Sequence, residues 1–141
     1  MTLESGAKGG RAGVPEARNI SALNLAFIGD AVFELLARAE SLRTGPAGSE
    51  TLGKRARGLV NAGAQARMYR VVEPVLTEDE LAVLRRGRNA KSAARAKNAP
   101  VVDYRHATGL EALFGYLYLA GRIDRIYQLF ELCVGESQAR E

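Results

Sequence analysis

The stretch ALNLAFIGDAVFELLARA, residues Ala22–Ala39, decides the fold class of this chain. Apolar residues recur through it with helical spacing and leave almost no polar face, which is typical of a helix in a protein core. Two carboxylates interrupt it, Asp30 in the middle and Glu34 one turn later. An unpaired ionised group in a core is costly or shifts its pKa, so we expect a partner that compensates these charges.

A second apolar segment, residues 107–120, has the same feature, because its only charged residue is Glu111. Two such helices most simply meet at the edge of a shared core, where Asp30 and Glu111 come together. Small residues on both segments would let the two backbones approach closely; they are Ala26, Gly29, Ala112 and Gly115.

Adjacent carboxylates repel each other, so the predicted pair needs a compensating group. One candidate is a divalent cation such as Mg²⁺, which binds one or two carboxylates and leaves its other positions open to water and phosphate. The alternative is a set of ordinary contacts, with Arg38, Arg105 or helix N-terminal amides satisfying the acids. Spacing alone leaves both interpretations open.

The remaining sequence predicts an all-α helical bundle, because no alternation typical of strands persists anywhere in the 141 residues. We expect a flexible tail over residues 1–18, one domain over residues 19–135 and a short C-terminal tail over residues 136–141. The predicted helices cover about residues 21–42, 49–74 and 78–86, then a segment from 103 to a break at Gly121, and a last helix from Ile123. The motif TEDEL, starting at Thr77, predicts a capping box, and residues 87–100 predict a basic loop.

Composition excludes several classes of protein. A single cysteine, Cys133, and a single histidine, His106, cannot form a disulfide framework or a zinc site of the usual spacing. No apolar run has the length of a membrane span, and the N-terminal residues have no apolar block of the secretory type. We therefore expect a cytoplasmic protein without a membrane association.

Positive charge is concentrated in two segments that contain no acid, residues 51–72 and 81–102. They hold eleven of the twenty basic residues, namely Lys54, Arg55, Arg57, Arg67, Arg70, Arg85, Arg86, Arg88, Lys91, Arg95 and Lys97. This distribution indicates a polyanionic partner.

With these residues in view, the sequence resembles the ribonuclease III family and, within it, the short bacterial branch called Mini-ribonuclease III. The blocks that carry the resemblance stand in the same order as in that branch, within residues 22–132. They are LAFIGDAVFELL (25–36), KRARGLVNAGAQARM (54–68), RRGRNAKS (85–92) with the later Lys97 and Asn98, and YRHATGLEALFGYLYL (104–119).

The resemblance implies a homodimeric endoribonuclease in which Asp30 and Glu111 are the catalytic pair that binds Mg²⁺, with Mn²⁺ as a substitute. The two further acids of full-length ribonuclease III are replaced here by Ala26 and Thr108, which fits the short branch and leaves the number of metal ions open. The implied reaction is hydrolysis of double-stranded RNA to 5′-phosphate ends. The implied substrate is the precursor of large-subunit (23S) ribosomal RNA.

The resemblance also implies that the catalytic domain itself holds the RNA, through phosphates and 2′-hydroxyls of the A-form duplex. The predicted contacts are Lys54, Arg55, Arg85, Arg86, Arg88, Asn89, Lys91, Ser92, Lys97 and Asn98. A solvated basic surface is the alternative interpretation, and for Lys54 and Arg55 it is equally good.

Further residues near the acids are candidate auxiliary groups: Glu34, Thr108, Tyr104, Arg105 and His106. Glu34 could orient water at a metal, or it could simply pair with Arg38 at the next turn. A non-catalytic RNA-binding module of the same fold is the alternative function. The presence of both Asp30 and Glu111 favours the enzyme, because a binding module has no use for two unpaired acids in apolar helices.

Overall fold

The computed structural model describes residues 15–91 and 100–140, and within them the chain forms six α-helices. The helices are α1 (Ala22–Glu40), α2 (Ser49–Arg57), α3 (Ala62–Val72), α4 (Glu78–Asn89), α5 (Val101–Leu119) and α6 (Ile123–Gln138). Short 3₁₀ turns cover Ala17–Asn19 and Glu73–Val75. These described ranges contain no β-strand, so the all-α prediction is confirmed.

Side-chain caps fix where several helices begin. The Ser21 hydroxyl accepts a hydrogen bond from the Asn24 amide at 3.2 Å, which starts α1. The predicted capping box is present at α4: Thr77 Oγ1 accepts from the Glu80 amide at 3.3 Å, and the Thr77 amide donates to Glu80 Oε1 at 2.9 Å. These two helix starts were readable from the sequence.

The prediction of one helix over residues 49–74 is wrong, because the chain breaks between α2 and α3. The side chain of Asn61 stabilises this break by bonding to the end of α2 and to the start of α3. Its Nδ2 donates to the carbonyl oxygen of Arg57 at 2.8 Å, which closes the end of α2, and its Oδ1 accepts from the Ala64 amide at 2.8 Å, which caps α3. The apolar spacing continues across this break and therefore conceals it.

The predicted basic loop over residues 87–100 begins too early, since α4 continues to Asn89, and α5 begins at Val101, two residues before the segment predicted from 103. Gly87, expected to end the helix, is buried against Gly109 and Ala112 of α5. A Cβ at Gly87 would come within 2.8 Å of the Ala112 Cβ, so the glycine permits close helix contact and does not break α4.

The central helix is α5, which packs against α1, α3, α4 and α6. Phe33 of α1 is fully buried and meets the rings of Phe114 and Phe130 edge-on, with centroids 5.3 and 5.5 Å apart. Cys133 is buried in the same core, and burial raises the pKa of its thiol to about 12. Ala17 also belongs to this core, although it lies within the predicted N-terminal tail. The limits proposed for the domain and its tails otherwise stay predictions.

The α1–α5 contact places the two acids. A Cβ at Gly29 would overlap the backbone oxygen of Glu111, and one at Gly115 would overlap the backbone oxygen of Leu25. Both glycines are therefore required for this close approach, as predicted. Ala112 was expected to join them, but it lies against Gly87 of α4 instead.

Within residues 15–91 and 100–140, no helix has both the length and the apolar composition that a membrane span requires.

Candidate active site

Asp30 and Glu111 line one cavity at the edge where α1 crosses α5. The cavity has a volume of about 320 Å³ and is lined by Leu23, Ala26, Phe27, Asp30, Tyr104, Thr108 and Glu111. Asp30 is exposed and Glu111 is half-buried. The acid of α1 therefore faces solvent at the rim, and the acid of α5 lies deeper in the wall.

The neighbourhood of Glu111 disfavours its negative charge. Burial raises the pKa of its carboxyl, the negative charge of Asp30 raises it further, and a hydrogen bond with the Asp30 carboxyl acts in the same direction. A hydrogen bond from Gln65 opposes them, and the resulting pKa is about 8. At neutral pH this pair therefore retains a proton or requires a cation.

The alternative in which arginines satisfy the two acids is not supported by the contacts of the described residues. Arg38 donates through Nε to Glu34 Oε2 at 2.8 Å, so its charge is used one turn away from Asp30. Arg105 is exposed. No ion pair to Asp30 or Glu111 occurs within residues 15–91 and 100–140.

The donor set suits a hard divalent cation bound by few protein groups. The described part of the chain has no cluster of three or more His, Cys, Asp or Glu residues able to hold a metal ion. Asp30 and Glu111 together offer two carboxylates beside open space, which is the usual way in which proteins bind Mg²⁺ when water and phosphate complete its coordination. Ala26 and Thr108, at the positions where the resemblance implies two acids in full-length ribonuclease III, both line the cavity. The residues present therefore fit Mg²⁺.

Sequence reasoning missed Gln65. This residue lies in α3, is only 3% exposed, and donates from Nε2 to Glu111 Oε2 at 3.4 Å. The available signal was an amide side chain within the predicted apolar stripe of that helix, between Ala64 and Ala66. That signal does not reveal its partner, because Glu111 is 46 residues away in the sequence.

The candidate auxiliary residues divide into two groups. Thr108 and Tyr104 line the cavity, and the Thr108 hydroxyl donates to the Tyr104 carbonyl oxygen at 3.0 Å. Glu34 and His106 are not among the cavity-lining residues: Glu34 pairs with Arg38, as its alternative interpretation proposed. The His106 ring meets that of Tyr69 edge-on at 4.4 Å, and its Nδ1 lies 2.8 Å from the Val102 carbonyl oxygen.

The basic residues at the end of α4 are mostly held by protein groups. Arg85 lies 3.5 Å from a Glu73 carboxylate oxygen, and Arg86 donates to the Ile20 carbonyl oxygen at 3.0 Å. Arg88 donates through Nη1 to the Tyr69 hydroxyl at 3.1 Å and through Nε to Asn89 Oδ1 at 3.0 Å. Asn89 and Lys91 are exposed. Ser92, Lys97 and Asn98 lie outside the described residues.

The two predicted RNA contacts in α2 differ in their surroundings. Lys54 is exposed. Arg55 is half-buried, and its Nη1 donates to the carbonyl oxygens of Ser41 at 2.8 Å and of Gly45 at 3.0 Å. The guanidinium of Arg55 thus stabilises the turn after α1, which leaves Lys54 as the freer group for a phosphate.

A second, larger cavity of about 430 Å³ does not border the acid pair. Its lining includes Arg18, Arg86 and Arg122, together with Glu16 and Asp79. Glu16 lies 3.4 Å from the Arg18 guanidinium, so one of its acids is already paired. We assign the candidate active site to the smaller cavity because two carboxylates converge there without a basic partner among the described residues.

The chain is similar to known proteins over most of its length. A family model described as the ribonuclease III domain matches residues 23–122, a range that contains both acids and Gln65. The Mini-ribonuclease 3 of Brevibacillus brevis is 47% identical over 119 residues, which are 82% of this chain and 89% of that protein. The Mini-ribonuclease 3 of Desulfitobacterium hafniense is 44% identical over 114 residues, which are 81% of this chain and 72% of that protein.

The fold is similar to that of a solved structure as well. The X-ray crystal structure of the Fusobacterium nucleatum protein FN1578 superimposes with a TM-score of 0.77 and has 30% sequence identity. The superposition covers 86% of this chain and 99% of that one.

Proposed function

The chain belongs to the ribonuclease III family and is an endoribonuclease, and we propose that it is a Mg²⁺-dependent enzyme that cleaves double-stranded RNA. One observation carries the metal dependence. Asp30 and Glu111 line the same cavity without a basic partner among the described residues, and the pKa of Glu111 is raised to about 8. Such a pair is unfavourable by itself and becomes favourable around a divalent cation.

The two acids share one role in this proposal, which is to hold the cation. Asp30, at the exposed rim, and Glu111, in the wall, would together hold Mg²⁺, and Mn²⁺ could replace it because it prefers the same oxygen ligands. When bound, the cation polarises the scissile phosphate and activates water for in-line attack. Tyr104 and Thr108 belong to the wall of the cavity that the RNA strand would meet. The products would carry 5′-phosphate ends.

RNA would be held by basic residues of α2, of α4 and of the segment that follows α4. Lys54 and Lys91 are exposed and can contact phosphates directly, while Asn89 can bond a 2′-hydroxyl. Arg85, Arg86 and Arg88 already contact protein groups. Phosphate contacts made by these arginines would either add to the protein contacts or replace them. Ser92, Lys97 and Asn98, which lie outside the described residues, stay proposed RNA contacts on the strength of the sequence resemblance. Because phosphate contacts dominate, affinity should fall steeply with salt.

A homodimer would place two such sites on one duplex. The strands of an RNA duplex are related by local two-fold symmetry, and a two-fold dimer matches that symmetry. Phe27 is 77% exposed beside the cavity, which makes the α1 face the candidate contact. The ends of the 23S ribosomal RNA precursor are the proposed natural substrate, on the strength of the sequence resemblance, and the cytoplasm is the proposed location.

The first test is cleavage of a long double-stranded RNA with and without Mg²⁺, comparing the native chain with Glu111→Gln. We expect Mg²⁺-dependent cleavage that this substitution abolishes, because the amide cannot supply the second negative ligand. Equal cleavage by both proteins would overturn the proposed site. RNA binding without cleavage in Mg²⁺ or Mn²⁺ would favour the non-catalytic binding module.

A further inference from the structure

Gln65 is a buried polar residue whose hydrogen bond goes to the candidate active site. Among the buried polar residues of the described chain, Ser41 and Thr108 bond to a carbonyl oxygen within a turn of themselves. Glu80 completes the capping box of α4 and an ion pair with Arg125. Gln65 instead donates across the α3–α5 contact to Glu111.

The packing at Gln65 alone does not account for a carboxamide. Its neighbours in α3, Ala64, Ala66 and Met68, are all buried and apolar, and α3 packs against α5, whose buried residues are mostly apolar as well. Burying an amide there costs free energy that one 3.4 Å hydrogen bond only partly offsets. A methionine or leucine of similar volume would pack without that cost. Packing therefore does not explain the amide at position 65, which must serve another purpose.

The hydrogen-bond donor at position 65 is a neutral amide, which suits a carboxylate that binds a metal ion. An arginine or lysine at position 65 would form an ion pair with Glu111 and compete with a cation for the carboxylate. An apolar residue would leave the carboxylate with the repulsion of Asp30 and no favourable contact in the wall. A neutral amide stabilises the ionised carboxylate without neutralising it.

We propose that Gln65 is a positioning residue that holds Oε2 of Glu111 and thereby presents the carboxylate to a divalent cation shared with Asp30. The inference rests on the proposed function, because it assumes that Glu111 binds the cation. It extends the site from two helices to three, since α3 contributes the residue that orients a ligand on α5. Groups that orient metal ligands through hydrogen bonds typically change metal affinity by about 10–100-fold when they are removed.

The test uses Gln65→Met, which is close to isosteric and lacks the donor. Mg²⁺ is titrated calorimetrically into the full-length RNA-free protein, and kcat and KM are measured on a long double-stranded RNA. We expect a Kd for Mg²⁺ at least about tenfold weaker and a lower kcat at limiting Mg²⁺, with KM for RNA changed less than about twofold. Excess Mg²⁺ should restore most of the kcat. Met68→Leu, at a buried position one turn along α3, is the matched control and should leave all of these values near those of the native chain.

The outcomes separate the inference from the proposed function. If Gln65→Met lowers the Tm but binds Mg²⁺ like the native chain, Gln65 is only structural and the inference is wrong. If the native chain shows no Mg²⁺-dependent cleavage, the proposed function fails first. Should Gln65→Met not fold, Gln65→Asn retains the amide but withdraws it from Glu111, and the same loss of Mg²⁺ affinity is expected. Native affinity in a folded Gln65→Asn would equally overturn the inference.

Discussion

At the scale of single residues, Glu111 links stability to pH in the metal-free protein. Its pKa of about 8 in the folded chain exceeds the ordinary value of 4.5, so the folded state binds this proton more tightly than the unfolded state. The contribution of Glu111 to the free energy of unfolding should therefore be complete below about pH 4.5 and be lost, by a few kcal/mol, as pH rises from about 4.5 to about 8. Urea unfolding in a chelator, near pH 5 and near pH 9, measures this loss. Glu111→Gln should remove it, and an equal loss in that variant would show that another group is responsible.

Asp30 gives the complementary prediction for activity. Asp30→Asn should leave the fold intact, because the side chain is exposed and lies among no ion pairs in the described residues. Cleavage in Mg²⁺ should fall at least about a hundredfold, since a charged metal ligand is lost. Glu34→Gln, one turn along α1, is the control: because Glu34 pairs with Arg38, its loss should change the rate less than about twofold. Normal cleavage by Asp30→Asn would place the metal site elsewhere.

The contrast between the two acids and Gln65 explains how much of the site was predictable. A carboxylate within an apolar helix conflicts with its surroundings, and that conflict is visible in one sequence. An amide within an apolar stripe is a weaker conflict, and its partner depends on how α3 packs on α5. The sequence also suggested that Arg38 could neutralise the acids, whereas helical geometry brings it to Glu34 instead.

At the scale of elements, the α1–α5 crossing should be the position most sensitive to small changes. Gly115→Ala should destabilise the protein by about 3 kcal/mol, because its Cβ would overlap the Leu25 backbone oxygen and force the helices apart. Gly135→Ala in α6 is the matched control. Among the described residues, no atom outside its own helix lies within 4 Å of the added Cβ, so greater helix propensity should stabilise the protein by about 0.5–1 kcal/mol. Chemical unfolding compares the two, and equal effects would contradict this account of the crossing.

The helical character of these segments followed from the sequence, whereas some of the points where helices begin and end did not. The apolar spacing and the cap at Thr77 located helices correctly because both depend on neighbouring residues. The break at Asn61 and the continuation of α4 through Gly87 depend on a bifunctional side chain and on contact with α5. Both boundaries were predicted wrongly for the same reason. Asn61 and Gly87 were interpreted by the average tendencies of Asn and Gly, whereas their contacts in the folded chain determine where the helices end.

At the scale of the whole molecule, the apolar α1 face predicts self-association. Phe27 is 77% and Leu23 is 37% exposed, one turn apart, and both line the cavity of the acid pair. Phe27→Glu should convert a dimer to a monomer, because it introduces a charge on each protomer into an apolar contact. Sedimentation velocity measures the change in mass. The unfolding free energy of the isolated chain should change by no more than about 0.5 kcal/mol, since the side chain is not part of the core.

The dimer prediction also has a consequence for the reaction. If each protomer cuts one strand, a monomeric Phe27→Glu should bind RNA more weakly and release singly nicked duplexes before double cuts, which separate on native gels. Tyr127→Glu is the matched control, because Tyr127 is 55% exposed on α6 and does not line the cavity. It should leave both the mass and the products unchanged. A Phe27→Glu protein that remains dimeric would assign the interface to another face. A monomer that still cuts both strands together would show that paired cleavage does not require the dimer.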